Sequence, residues 1–223
     1  MAQTFRSLSQ SVCLAFLLAA WLPAPAVQAK EPMTQQQALR TLNHSNPQRR
    51  FEAMNRLALI GTADVADAVL PRLHDKEPGL RKVALDTVWR MWSRSGDKEI
   101  DLLYDEGNAD MQEGNVLEAI RIFTDIINKR PAFAEAWNKR ATLYFMVGQY
   151  ELSISDCEEV LKRAPKHFGA LSGYAQILAE RDQPEKALAL LQRAVAVNPN
   201  MVNAELLMAD LRRRIEIKRK QMV

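Results

Sequence analysis

Three histidines, one cysteine in the body of the chain and a short acidic cluster are the side chains that could build a reaction centre, and their spacing builds none. His44, His74 and His167 are isolated from one another, and no histidine, cysteine or carboxylate stands four residues from any of them, the interval that puts two zinc ligands on one helix face. His44 and His167 fall at expected helix ends, where the backbone dipole and solvent satisfy an imidazole. Asp156, Glu158 and Glu159 are nearly consecutive, so on a helix they fan around the axis and form a solvated face, not an acid/base pair. The chain has no P-loop, no Gly-rich dinucleotide turn and no Gly-x-Ser-x-Gly elbow. The sequence therefore predicts no enzyme, no cofactor and no metal site.

Charge narrows the partners further. Arg212, Arg213, Arg214, Lys218, Arg219 and Lys220 form a basic run, interrupted by Glu216 and without the interleaved aromatics of a nucleic-acid stacking platform. No nucleic-acid partner is expected, and contact with a membrane surface would come only through this run. At the other end, Arg6 precedes an uncharged apolar run from Val12 to Leu22, and small residues follow up to Ala29. Residues 1–29 read as a Sec-type signal peptide, with Val27 and Ala29 marking cleavage before Lys30 and the periplasm as destination. A retained anchor is the alternative, although the run is short for a membrane span. Loss of Arg6 lowers the net charge from +3 to +2. Cys13 leaves with the segment, so Cys157 has no intramolecular disulfide partner.

From Lys30 onward apolar residues return at three- and four-residue intervals, and no stretch alternates with period two. An all-α fold follows. Pro131, Pro165 and Pro199 stand 34 residues apart, and small or aromatic residues recur at the same interval: Gly114 with Gly148, Ala119 with Ser153 and Ala187, Phe123 with Cys157 and Leu191. Further upstream, Asn46–Ala53 parallels Glu77–Ala84 at a period of 31, with Pro47 matching Pro78, Arg50 matching Arg81 and Leu57 matching Val88. Proline at a first helical turn costs no internal hydrogen bond, so each unit starts a helix there. Helices are predicted at about 34–44, 47–60, 63–74 and 78–93, with the junction to the second repeat region at Ser93–Asp97.

The 34-residue period and its residues resemble the tetratricopeptide repeat (TPR). In the unit around Pro165, Trp137, Ala141, Tyr144, Gly148 and Tyr150 occupy the places of the family's tryptophan, small residue, tyrosine, turn glycine and aromatic. The first unit departs with Leu103 and Asp110 in place of aromatics, and the third with Asp182 in place of the turn glycine. The resemblance implies paired antiparallel helices over 98–199 and a buried site for Cys157, with the raised pKa and low reactivity of a thiol among apolar groups. Residues 30–97, on the phrases Leu59–Val65 and Val69–Asp75, resemble HEAT-like repeats. The expected architecture is a right-handed helical-repeat solenoid: HEAT-like pairs, three TPR units, and a basic capping helix over 200–223 with Leu206, Leu207, Leu211 and Ile215 as its apolar stripe.

In that resemblance the first helix of each pair lines a concave surface. Repeat matching places Tyr104, Asn108 and Met111 there from the first unit, Asn138, Thr142, Phe145 and Met146 from the second, and Ser172 and Gln176 from the third. Amides can donate to and accept from an extended backbone, while Phe, Tyr and Met supply adaptable apolar contact. A peptide or partner helix is the expected ligand. The lysine and arginine clamp with which some TPR adaptors grip acidic tails is not matched, since Tyr104, Gly169 and Gly173 fall at its basic positions. The sequence thus predicts an exported, non-catalytic interaction module. The alternatives are a structural subunit of an envelope assembly or a lyase-like enzyme built on HEAT-like repeats.

Overall fold

The computed structural model describes residues 31–221, all of whose regular structure is helical. The expected signal segment lies outside them. A short α1 (Gln35–Thr41) and α2 (Pro47–Ile60) lead through two 3-10 turns (Ala63–Ala68 and Leu70–His74) into α3 (Pro78–Trp92). Then come α4 (Lys98–Glu113) with α5 (Val116–Lys129), α6 (Ala134–Met146) with α7 (Tyr150–Arg163), α8 (Phe168–Glu180) with α9 (Pro184–Val197), and a final α10 (Ala204–Gln221). Among the described residues no helix is long and apolar enough to cross a membrane.

Small residues let each pair close. Ala119, Ala187 and Ala194 are completely buried, and Ser153, which replaces the usual alanine, donates its hydroxyl across the crossing to the Ala141 carbonyl at 2.7 Å. Gly107 of α4 leaves room for the buried Phe123 ring, which would stand 3.0 Å from any Cβ placed there. The three pair-closing turns all need a left-handed residue: Gly114 has φ 84°, Gly148 75° and Asp182 56°. Aspartate tolerates that region better than most non-glycine residues. Lys218 of α10 pairs with its carboxylate at 2.6 Å.

Two expectations change. Residues 63–74 form no α-helix, because Asp64, Val65, Asp67 and Val69 are poor helix formers and Pro71 cannot donate to the preceding turn. On α10 the buried stripe is Ala204, Met208, Leu211 and Ile215. Leu206 and Leu207 project outward, with Leu206 72% exposed, because packing against α8 and α9 selects a stripe rotated from the one the leucines suggest.

The position of the N-terminal layer could not be read from the repeats. α2 and α3 run parallel: Arg50 near the start of α2 pairs with Asp75 before α3, while Arg94 after α3 donates to the Gly61 carbonyl after α2. This layer folds back across the edge where α7 gives way to α8 and α9 to α10. Its core takes in Phe168, Leu171 and Ala194. Asn200 donates to the Leu73 carbonyl at 2.8 Å, and His74 Nε2 donates to the Val197 carbonyl at 3.1 Å.

Candidate functional site

The first helices of the three pairs, α4, α6 and α8, present the predicted residues, but the structure gathers only some of them. Asn138, Thr142, Phe145 and Met146 of α6 meet Gln176 of α8 around a pocket of about 320 Å³, floored by Ser153 and Cys157 of α7. Gly173 opens it, since a Cβ there would meet nothing within 4 Å. Phe145 leans on Tyr150 with ring centroids 5.7 Å apart, and Met146 is exposed. Gln176 is exposed beside Glu180. Apolar walls with a few amides at the rim suit an apolar side chain carried on an extended backbone.

Four predicted residues sit elsewhere. Ser172 turns back to its own helix, its hydroxyl donating to the Gly169 carbonyl at 2.9 Å. Asn108 likewise gives its amide to the Tyr104 carbonyl at 2.9 Å. Tyr104 is no groove contact: it is buried against Phe123 and Phe133, and Met111 packs against the same cluster. Burial, then the nearby charge of Glu135, raises the Tyr104 phenol well above its ordinary pKa, so it stays a protonated hydroxyl.

Its partner reveals what the repeats concealed. Glu135, the second residue of α6, lies buried and accepts from His167 Nε2 at 2.8 Å, from Tyr104 at 3.3 Å and from the Asn138 amide at 3.3 Å. His167 Nδ1 accepts the Ala170 backbone N–H, so the proton of the neutral ring resides on Nε2, pointing at Glu135. Trp92 of α3 stacks on that imidazole at 3.9 Å, and Ser93 accepts from Tyr104 at 3.4 Å. The N-terminal layer thus braces the wall that presents Asn138. Trp89 of the same helix fills the space over Gly169, whose Cβ position lies 2.7 Å from the ring. The clamp-type cation missing from that position has no room there. The only sequence signal of this network is two tryptophans at the end of α3.

Cys157 is buried as expected, and burial, followed by the Asp156 and Glu158 charges, leaves its thiol pushed up to about 12. Asp156 turns inward from its acidic neighbours to take a two-bond contact from Arg140, at 2.8 Å for each bond. No cluster of three or more metal-ligating side chains exists among the described residues.

Two models of the tetratricopeptide repeat match, over residues 104–166 and 144–211. A TPR repeat-containing protein of Rhizobium etli is 34% identical over 125 residues, 56% of this chain and 61% of that protein. Subunit 7 of the anaphase-promoting complex of Dictyostelium discoideum is 29% identical over 87 residues, 39% of this chain and 15% of that subunit. The chain spans less than two thirds of either relative. Among solved structures, the first TPR of Spaghetti (RPAP3) bound to the HSP90 peptide SRMEEVD superposes with a TM-score of 0.52 at 21% identity, covering 54% of this chain and 96% of that one. The Sgt2 TPR domain from Aspergillus fumigatus gives 0.52 at 24%, covering 56% and 83%. The fold is a helical-repeat solenoid. The matches to the tetratricopeptide repeat run from residue 104 to residue 211.

Proposed function

We propose that this chain is an exported, non-catalytic protein-interaction module that holds an extended peptide or a partner's helix in its concave groove, with an apolar side chain seated between α6 and α8. The observation that carries the reading is the pocket at Gly173, where five of the residues expected from the repeats converge on one cavity. The peptide bound by the Spaghetti TPR is consistent with that use of the fold. The amides of Asn138 and Gln176 would each contribute about 0.5–1.5 kcal/mol net, and apolar burial about 25 cal/mol per Å². After ordering costs, micromolar affinity, about 8 kcal/mol, is the expectation. The periplasm is the proposed compartment, on the strength of Arg6, the Val12–Leu22 run and the small residues before Lys30.

A photo-crosslinking residue at Thr142, in the pocket, tests the reading against one at Leu117, exposed on α5. Crosslinks from Thr142 that vanish when Asn138, Phe145 and Gln176 are all replaced by alanine support the groove. Crosslinks from Leu117 that survive the triple replacement place the contact on the outer face and refute it.

A further inference from the structure

The N-terminal layer carries another pocket, of about 490 Å³, lined mostly by polar and charged residues. The 31-residue repeat builds it: because α2 and α3 run parallel, the starts of both helices, and the charged residues before them, come to one side. Arg50, Arg72, Lys76, His44, Asp75 and Glu77 stand around it.

These charges do not cancel. The buried Asp75 carboxylate is taken by Arg50, whose Nε and Nη2 donate at 2.7 and 2.8 Å, and Arg50 Nη1 is occupied by the His44 and Ser45 carbonyls. That pair is closed and neutral. Arg72 reaches Asp75 only at 3.5 Å, and its Nε is the one buried side-chain polar atom without a hydrogen-bond partner among the described residues. An unmet buried donor costs free energy that an incoming acceptor would recover. Lys76 is exposed and forms no ion pair among the described residues. Arg81 spends its donors on the Asp75 carbonyl and on Asn200, which leaves its charge uncompensated. Three lining cations, Arg50, Arg72 and Lys76, thus face two carboxylates, Asp75 and Glu77, a surplus of one positive charge, to which Arg81 adds its own from outside the lining, through its bond to the Asp75 carbonyl. His44 Nδ1 accepts the Asn46 N–H, so Nε2 carries the proton of the neutral ring and is a further donor at the rim.

We infer that this pocket binds a phosphate monoester, its oxygens held by Arg72, Lys76 and His44 Nε2. Such a group carries close to two negative charges at neutral pH, offset by the surplus cation of the lining together with the neighbouring Arg81, and its oxygens match the fork of a guanidinium. The inference is independent of the peptide reading, because no residue of this pocket lines the groove.

Titration of the chain from Lys30 with inorganic phosphate, read by the arginine Nε–Hε resonances and by thermal melting, tests it. A saturable shift of the Arg72 resonance and a rise in Tm are expected. Arg72→Gln with Lys76→Gln, which keeps the Arg50–Asp75 pair, weakens binding at least tenfold, while Arg212→Gln with Arg213→Gln on α10 leaves it unchanged. Lys76→Gln alone, at an exposed position, loses several-fold and keeps the test decisive if the double variant melts. A parallel titration with phosphatidylcholine vesicles containing phosphatidic acid separates the sources. Binding to the vesicles alone, lost in the Lys76 variant, assigns the monoester to a lipid, whereas saturation by inorganic phosphate assigns it to a soluble ligand. No saturable binding to either, or equal loss in the α10 variant, overturns the site.

Discussion

Gly173 separates folding from binding, because it lies in the interior of α8, has open space at its Cβ position and guards the pocket. Replacing it with leucine removes the entropic cost of a helical glycine, a gain of about 0.8–1.0 kcal/mol on the helix-propensity scale, and sets an apolar side chain in the cavity. In a chain of this size that gain raises Tm by about 2–4 °C per kcal/mol. The same side chain occupies the place of the partner's apolar group, whose burial is worth about 1.5–3 kcal/mol, so affinity should fall about ten- to a hundredfold. Gly169→Ala, one turn earlier, is the internal control. Its Cβ meets Trp89, held in place by Trp92, His167 and Phe168, and the crowding should cost about 1–3 kcal/mol. Differential scanning fluorimetry and titration of a crosslink-identified peptide give both numbers. A Gly173→Leu variant that loses stability would refute the open Cβ position, and one that binds normally would refute the pocket.

Other outcomes follow from the packing and from the proposed export. Ala119→Arg or Ala187→Arg should unfold at least its own helix pair, since a guanidinium at a fully buried crossing costs several kcal/mol; unchanged melting of both would mean a wrong repeat register. With its thiol pushed up to about 12 from an ordinary 9.0, Cys157 should hold about a thousandfold less thiolate at pH 8 than a free thiol, and rapid labelling of folded protein would contradict its burial. Amino-terminal sequencing of protein from an envelope fraction should begin at or near Lys30; intact Met1 in the membrane fraction would remove the cleaved-export reading.

The sequence by itself determined the helix pairs from Lys98 to Val197, because their packing is local: each small residue meets a partner within its own 34-residue unit, and the register repeats three times. It also placed the α6 half of the pocket, since Asn138, Thr142, Phe145 and Met146 share one face of a single helix. Only the tertiary structure decided the rest, for the reason that periodicity carries no information about contacts between distant segments. Tyr104 occupies a groove position by register, yet Glu135 draws it into the core. Trp89 and Trp92 sit at the end of a helix 75 residues or more before His167, and nothing in their spacing announces that they brace it. Leu206 and Leu207 look like part of the buried stripe, but packing keeps only the expected Leu211 and Ile215 and adds Ala204 and Met208 in their place. Local patterns choose the elements, while the fold-back of the N-terminal layer, a product of long-range burial, chooses which of their faces remain open to a ligand.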